Sequence, residues 1–242
     1  MFNVIQGAAE TGAALIRHPD VAKVTLTGSV ETGKVVMAEA ARGLKKVTLE
    51  LGGKSPIVVF DDADFDSALN AALVGNFYST GQVCSNGTRV FVQRDIYDRF
   101  VDSLGERTAA IRVGDPFDPE TQMGPLVSRD HRDKVLGYLE AAHASGAHCL
   151  GGGEAVTDGP LADGYFVTPT VFADCTDDMA FVRDEVFGPL MAVLPFDTEE
   201  EAVRRANDTG FGLAAAVFTT SLNRAHRVAN ALQAGIVWIN DY

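Results

Sequence analysis

Apolar positions along the chain alternate between a two-residue rhythm and a helical one. Phe2 to Gln6 reads as a short strand, Gly12 to Arg17 as a helical turn or two, and Val21 to Thr27 (VAKVTLT) as a β-branched strand. Gly28 and Ser29 interrupt that strand. Val30 to Arg42 then carries Val35, Val36, Met37 and Ala40 at helical spacing until Gly43 closes it, and the strand VTLEL follows. A strand–helix–strand unit of this length implies parallel pairing and an open α/β sheet.

Gly52 and Gly53 form a hinge, after which SPIVVF opens a second unit. Phe65 to Phe77 is expected to be helical, with Leu69, Leu73 and Phe77 on one face. The chain turns through STGQVCSNGT into a strand at Arg89 to Gln93. Helices are expected from Asp95 to Ile111 and, capped by Ser128, as far as His143. Strands near Phe166 to Val171, Pro189 to Phe196 and Leu213 to Thr219 alternate with helices at Thr198 to Asn207 and Ser221 to Gln233, and GIVWIN begins a last strand. The expected division is residues 1–52, residues 53–233, and a strand over 234–242 that returns to the first unit.

Composition narrows the function. The 242 residues hold 20 Lys+Arg against 33 Asp+Glu, a formal charge of −13, and no stretch has the clustered cations that nucleic-acid phosphates require. With 46% hydrophobic and 22% charged residues, the chain has the make-up of a folded soluble protein. The longest uncharged stretch, between Asp66 and Arg89, contains Asn70, Asn76, Gln82 and Asn86, so no membrane span is expected. The start lacks a basic n-region and a long apolar run, as a secretory signal would need. Cys84, Cys149 and Cys175 form no CxxC and the histidines no HExxH, which points to no metal and to a reducing cytoplasm.

Residues 28–34, GSVETGK, place glycines between a strand and a helix, where backbone N–H groups and the positive helix end face outward to an anion. A P-loop would match Gly28, Gly33 and Lys34 but requires a hydroxyl where Val35 stands. A dinucleotide site needs no metal there and accepts Val35 as a core-facing helix residue. A helix entry that only needs glycine geometry is a third reading. Cys84 has small polar neighbours, which leave room for a substrate at sulfur; N–H groups aimed at it would stabilise a nucleophilic thiolate, and a buried inert thiol is the alternative. Glu50, between Leu49 and Leu51, is either solvent-facing on an alternating strand or a partly desolvated general base. Glu185, before a Phe-Gly-Pro turn, is a surface acid or an acceptor for ribose hydroxyls.

TLTGSVETG, LELGGKSP, FYSTGQVCSNGTR and EVFGPL, in this order and at these separations, resemble the aldehyde dehydrogenase superfamily along essentially the whole chain. GQVCSNGTRVFV and the ending VWINDY look most like its members that oxidise betaine aldehyde. The resemblance implies an α/β fold with a partial Rossmann-like cofactor domain over 1–52, a catalytic α/β domain with an open, mostly parallel sheet over 53–233, and the return strand. It implies aldehyde oxidation with NAD or NADP. Cys84 matches the nucleophile that forms a thiohemiacetal and then a thioester, and Glu50 the base that activates the hydrolytic water. Gly28, Ser29, Val30, Glu31 and Gly33 match the pyrophosphate turn, and Gly52 a position near nicotinamide. Glu185 matches the ribose acceptor, Phe187 the neighbouring ring wall, and Tyr242 an aromatic face for a trimethylammonium group, with Tyr78 and Trp238 as further candidates.

Family members are about twice as long, so the chain is expected to be a partial member that begins midway through the cofactor domain and stops before the C-terminal strand and tail are complete. The Lys that holds the adenosine ribose and the Asn that helps the Cys84 amide stabilise an oxyanion are expected to lie outside it. One such donor contributes roughly 2.7–4 kcal/mol, which implies little or no turnover from these residues alone. Full-length relatives of this kind are expected to form dimers or tetramers, with small aldehydes as partners. A P-loop nucleotide hydrolase and a non-catalytic relative of the same fold are the competing classes.

Overall fold

The computed structural model describes residues 1–242, which divide into two compact units, Met1–Gly52 and Gly53–Tyr242. In the first, α1 (Ala9–Arg17), β1 (Lys23–Thr27), α2 (Val30–Ala41) and β2 (Lys46–Glu50) follow in order. β1 and β2 pair in parallel, with Thr27 opposite Glu50. Ser29 starts α2 by accepting a hydrogen bond from the Thr32 amide at 3.2 Å, which satisfies one of the free N–H groups of the first turn. Two expectations change here. Phe2 to Gln6 is exposed and forms no strand, because no strand pairs with it. Val35 is 63% exposed; the buried side of α2 belongs to Gly33, Val36 and Ala40, whose spacing of three and four leaves Val35 a hundred degrees away.

The second unit holds β3 (Pro56–Val59), α3 (Phe65–Phe77), β4 (Arg89–Gln93), α4 (Arg94–Ala109), α5 (Arg129–Ala144) and β5 (His148–Gly151). It continues with β6 (Thr170–Ala173), α6 (Ala180–Arg183), β7 (Leu190–Phe196), α7 (Glu199–Asn207), β8 (Ala214–Phe218), α8 (Leu222–Ala231) and β9 (Ile236–Ile239). Its seven-stranded sheet runs β5-β6-β7-β4-β3-β8-β9 and is parallel except for β5. The inner strands β3, β4, β6, β7 and β8 are buried at successive positions because both faces are covered. Val58, Phe91, Leu194 and Val217 join Val135 of α5 and Val228 of α8 on one side. Ile57, Val59, Val90 and Val92 join Leu69 of α3 and Phe100 of α4 on the other. Asp64, Ser128, Thr198 and Ser221 cap α3, α5, α7 and α8 through their side-chain oxygens.

Three further differences have local causes. β5, not anticipated from HCLG, is a four-residue edge strand whose register breaks between Cys149 and Gly151. β6 starts only at Thr170, since Pro169 has no N–H to donate and Val167 makes just an isolated bridge to Ala155. Residues 234–242 do not form a separate return strand: β9 extends the second unit's sheet along the free edge of β8, from Ala214 opposite Ile236 to Val217 opposite Ile239. No helix is long and apolar enough to cross a membrane.

Candidate active site

Lys54, Cys84 and the Glu185–Phe187 turn stand just before β3, β4 and β7, which are neighbours in the sheet. The three loops therefore lie side by side at its amino edge. Ligands of open α/β sheets usually collect at the carboxyl ends of the strands, so this site is placed by its loops and not by that rule.

Backbone contacts weld the loops together. The Gly53 amide donates to Glu185 Oε1 at 3.2 Å, and the Gly53 Cα lies so close to the Cys84 carbonyl that a Cβ would collide with it. Ser79, Thr80 and Gly81 occupy the left-handed region in succession, with φ of 50°, 59° and 71°. Only glycine enters that region freely, and at Gly81 a side chain would also run into the Gly188 carbonyl. The Thr80 hydroxyl, bonded to the Gly124 carbonyl at 3.1 Å, and Gln82, whose Oε1 accepts from the Val127 amide at 3.0 Å, hold this turn from outside. Cys84 is half-buried on the turn that follows. The Tyr242 hydroxyl donates to the Ser85 carbonyl, and its ring lies over Gly75 and Gly87 with Trp238 at 4.9 Å between centroids.

Burial sets the electrostatics. Desolvation raises the Glu185 carboxyl above the usual carboxylate range, an effect opposed by the Gly53 N–H. Lys54 is 2% exposed, and its Nζ has no hydrogen-bond partner. Burial, reinforced by the nearby Arg89 cation, pushes Lys54 down to about 7, while Asp184 and Glu185 resist that shift. Arg89, also buried, donates to the carbonyls of Lys54, Arg205 and Ala206. Cys175 lies in the core and burial pushes its thiol up to about 12, which makes it inert; Cys149 is half-buried on the sheet-edge strand β5.

The other sequence candidates lie in the first unit. Gly28 and Ser29 are exposed where β1 gives way to α2, Val30 is half-buried, and Glu31 is exposed and pairs with Lys34 at 2.6 Å. Gly33 is buried, and a Cβ there would come within 2.7 Å of the Leu51 side chain, so glycine lets α2 pack closely at this point. Glu50 is exposed at the end of β2, its carbonyl accepting from the Gly28 amide at 3.0 Å, and Gly52 closes the unit. Thus Gly28 and Glu50 are brought together in one unit, and Cys84, Glu185, Phe187 and Tyr242 in the other. Of the remaining aromatics, Tyr78 is 68% exposed and Trp238 backs Tyr242.

Sequence reasoning passed over Lys54, Arg89 and His131. A lysine inside the otherwise buried run GGKSPIVVF was the available signal for Lys54; nothing local marks His131, whose partner is 56 residues away. Phe187 itself has φ of 61°, a conformation that costs a bulky residue roughly 1–3 kcal/mol and persists only where its surroundings enforce it.

The aldehyde dehydrogenase family pattern matches residues 1–242, and the chain belongs to that family. Among curated relatives, it is 60% identical to the betaine aldehyde dehydrogenase of Sinorhizobium fredii and 61% to that of Cereibacter sphaeroides, each over all 242 residues. Those matches cover 50% and 49% of the relatives, so the chain spans about half the length of the curated relatives it matches. Among solved structures, the Staphylococcus aureus betaine aldehyde dehydrogenase in complex with NAD+ is 45% identical with a TM-score of 0.93, over 96% of this chain and 46% of that one. A Bacillus cereus aldehyde dehydrogenase variant is 49% identical with a TM-score of 0.92, over 96% and 46%. A P-loop hydrolase is not favoured by these matches.

Proposed function

We propose that the protein oxidises an aldehyde, betaine aldehyde or a related amino-aldehyde, to the carboxylic acid with NAD(P)+. The observation that carries this reading is the convergence of the Cys84 carbonyl, the Gly53 backbone and the Glu185 carboxylate on one edge of the sheet, in a chain matched by the family over its whole length. The Cys84 thiolate attacks the carbonyl carbon to give a thiohemiacetal; loss of hydride from that carbon leaves a thioester on Cys84, and water cleaves it to release the acid. Glu50 is assigned the proton abstraction from that water, which regenerates the free thiol.

The residues fit the cofactor. The Ser29-capped start of α2 presents first-turn N–H groups, with Gly28 exposed beside them, to a pyrophosphate. Val30, Glu31, Gly33 and Gly52 complete the assignment in the first unit. Glu185 has one oxygen held by Gly53 and the other available to ribose hydroxyls, with Phe187 as the adjacent ring. Bound NAD(P)+ supplies the hydride acceptor. Tyr242, anchored next to Cys84 through Ser85, is the aromatic face assigned to a quaternary ammonium.

The test is NADH formation from betaine aldehyde by the full-length gene product. Turnover that Cys84→Ser abolishes is expected, with iodoacetamide labelling Cys84 ahead of Cys149 and Cys175. A folded protein that yields no reduced cofactor refutes the reading and leaves a non-catalytic relative, and reduced cofactor formed unchanged without the Cys84 sulfur refutes the chemistry assigned to Cys84.

A further inference from the structure

Phe187 holds a backbone conformation that a bulky side chain does not choose for itself. One group fixes it from outside its own loop. His131, in the first turn of α5, lies 2.6 Å through Nε2 from the Phe187 carbonyl. A carbonyl can only accept, so Nε2 carries the proton and the tautomer is set by this contact. The two rings also meet edge to face at 5.9 Å between centroids. The same helix supports the next residue: a Cβ on Gly188 would come within 2.7 Å of Val135, one turn on from His131, and the Gly188 carbonyl faces Gly81 of the cysteine loop.

α5 is itself tied in. Its cap Ser128 accepts from the His131 amide at 3.3 Å, and the preceding residue, Val127, donates to Gln82, two residues from Cys84. The imidazole is therefore registered against the cysteine loop as well as against Phe187.

We infer that His131 is a positioning residue for cofactor binding: its Nε2–H and ring edge hold Phe187 in the left-handed conformation that presents the phenyl ring as the wall of the nicotinamide site. This rests on the proposed role of Phe187. Without the donor, the Phe187 peptide is free to relax toward ordinary backbone angles, and the ring leaves its place before cofactor arrives. The loss falls on cofactor affinity, because the His131 ring acts on Phe187 through its carbonyl and its phenyl edge and makes no hydrogen bond to Cys84.

Three variants of the full-length gene product test this, read by calorimetric titration with NAD+, by steady-state KM for NAD+ against kcat, and by thermal melting. His131→Phe keeps a ring and removes the donor; His131→Gln keeps a donor at a similar reach; Phe187→Ala removes the wall. Loss of one hydrogen bond predicts that His131→Phe weakens NAD+ binding roughly two- to tenfold, with kcat and melting temperature close to the parent. His131→Gln is expected to restore most of the affinity. Normal NAD+ binding by His131→Phe, alongside weakened binding by Phe187→Ala, overturns the role of His131 and leaves the wall intact. Unchanged binding by Phe187→Ala overturns the wall reading and this inference with it. Equal losses in His131→Phe and His131→Gln, accompanied by lower melting temperatures, make His131 a packing residue only and also overturn the inference.

Discussion

Arg89 donates through Nε to the carbonyl of Lys54 at 2.9 Å, so two buried basic side chains, one at the head of β4 and one in the loop before the neighbouring β3, stand with a backbone oxygen between them. The arrangement is tolerable because the two side chains meet burial differently. The Arg89 guanidinium spreads its charge over three carbonyls, two of them at the C-terminal end of α7, where the helix dipole favours a cation. Lys54 has no such partner and gives up its proton more readily.

Arg89→Met is accordingly expected to destabilise the second unit strongly, by about 3–5 kcal/mol, since three buried carbonyls lose their donor. Arg89→Lys cannot fork to three acceptors and should recover little of this. Urea denaturation of both variants measures it; a midpoint within error of the parent would remove the bracing role.

Lys54→Met should stabilise the protein in a pH-dependent manner. The folded-state Lys54 titrates near 7, below its ordinary value of 10.5, so in that interval the unfolded chain binds the proton that the folded one lacks. The penalty is complete below about pH 7 and fades as pH rises toward 10.5. Melting curves should show the variant's advantage greatest at pH 6–7 and shrinking by pH 9–10, roughly the interval over which a displaced lysine changes charge. An advantage independent of pH would mean that packing, not charge, governs this position.

Gly53→Ala places a methyl group against the Cys84 carbonyl and loosens the amide that holds Glu185. Both loops must shift, so the rate of iodoacetamide labelling at Cys84 should change and NAD+ affinity should fall, while the melting temperature moves by only a few degrees. Labelling and affinity that match the parent would show the contact to be slack.

Tyr242→Ala should raise KM for betaine aldehyde more than for a neutral aldehyde of equal size, because only the former gains from a π face, an effect worth about 0.5–2 kcal/mol. Equal changes for both substrates would leave Tyr242 as a brace behind the Ser85 carbonyl. Tyr242→Phe, which keeps the ring, should retain the discrimination.

The strands and helices that sit in the core were legible because both periodicities are strong there: Phe65–Phe77 and Arg89–Gln93 fall at the residues the pattern marks. The loops were legible only as motifs. Cys84 and Glu185 could be named as candidates from their neighbours and Phe187 through the family resemblance, but that Gly53 bonds Glu185 and that His131 bonds Phe187 are relations across 132 and 56 residues, which no local pattern encodes. Lys54 lay in plain view within LELGGKSP; its burial follows from Pro56 to Val59 being covered on both faces, a property of the assembled sheet. β9 went astray for the same reason, since a free strand edge is supplied by β8 and not by the apolar run itself.

The alignment of Pro56 with Arg89 and of Arg89 with Ala192 fixes more than the core. Each strand carries one chemical group on the loop at its head, so the spacing of sulfur, carboxylate and amine is dictated by ladder bonds several residues away. A slip of β4 by a single residue would displace its whole leading loop by about 3.3 Å and turn Val90 and Val92 to the opposite face. Hydrocarbon packing in the interior thus acts as the ruler for the chemistry at the rim, and substitutions of Ile57, Val90 or Val193 that never approach a substrate are constrained by it.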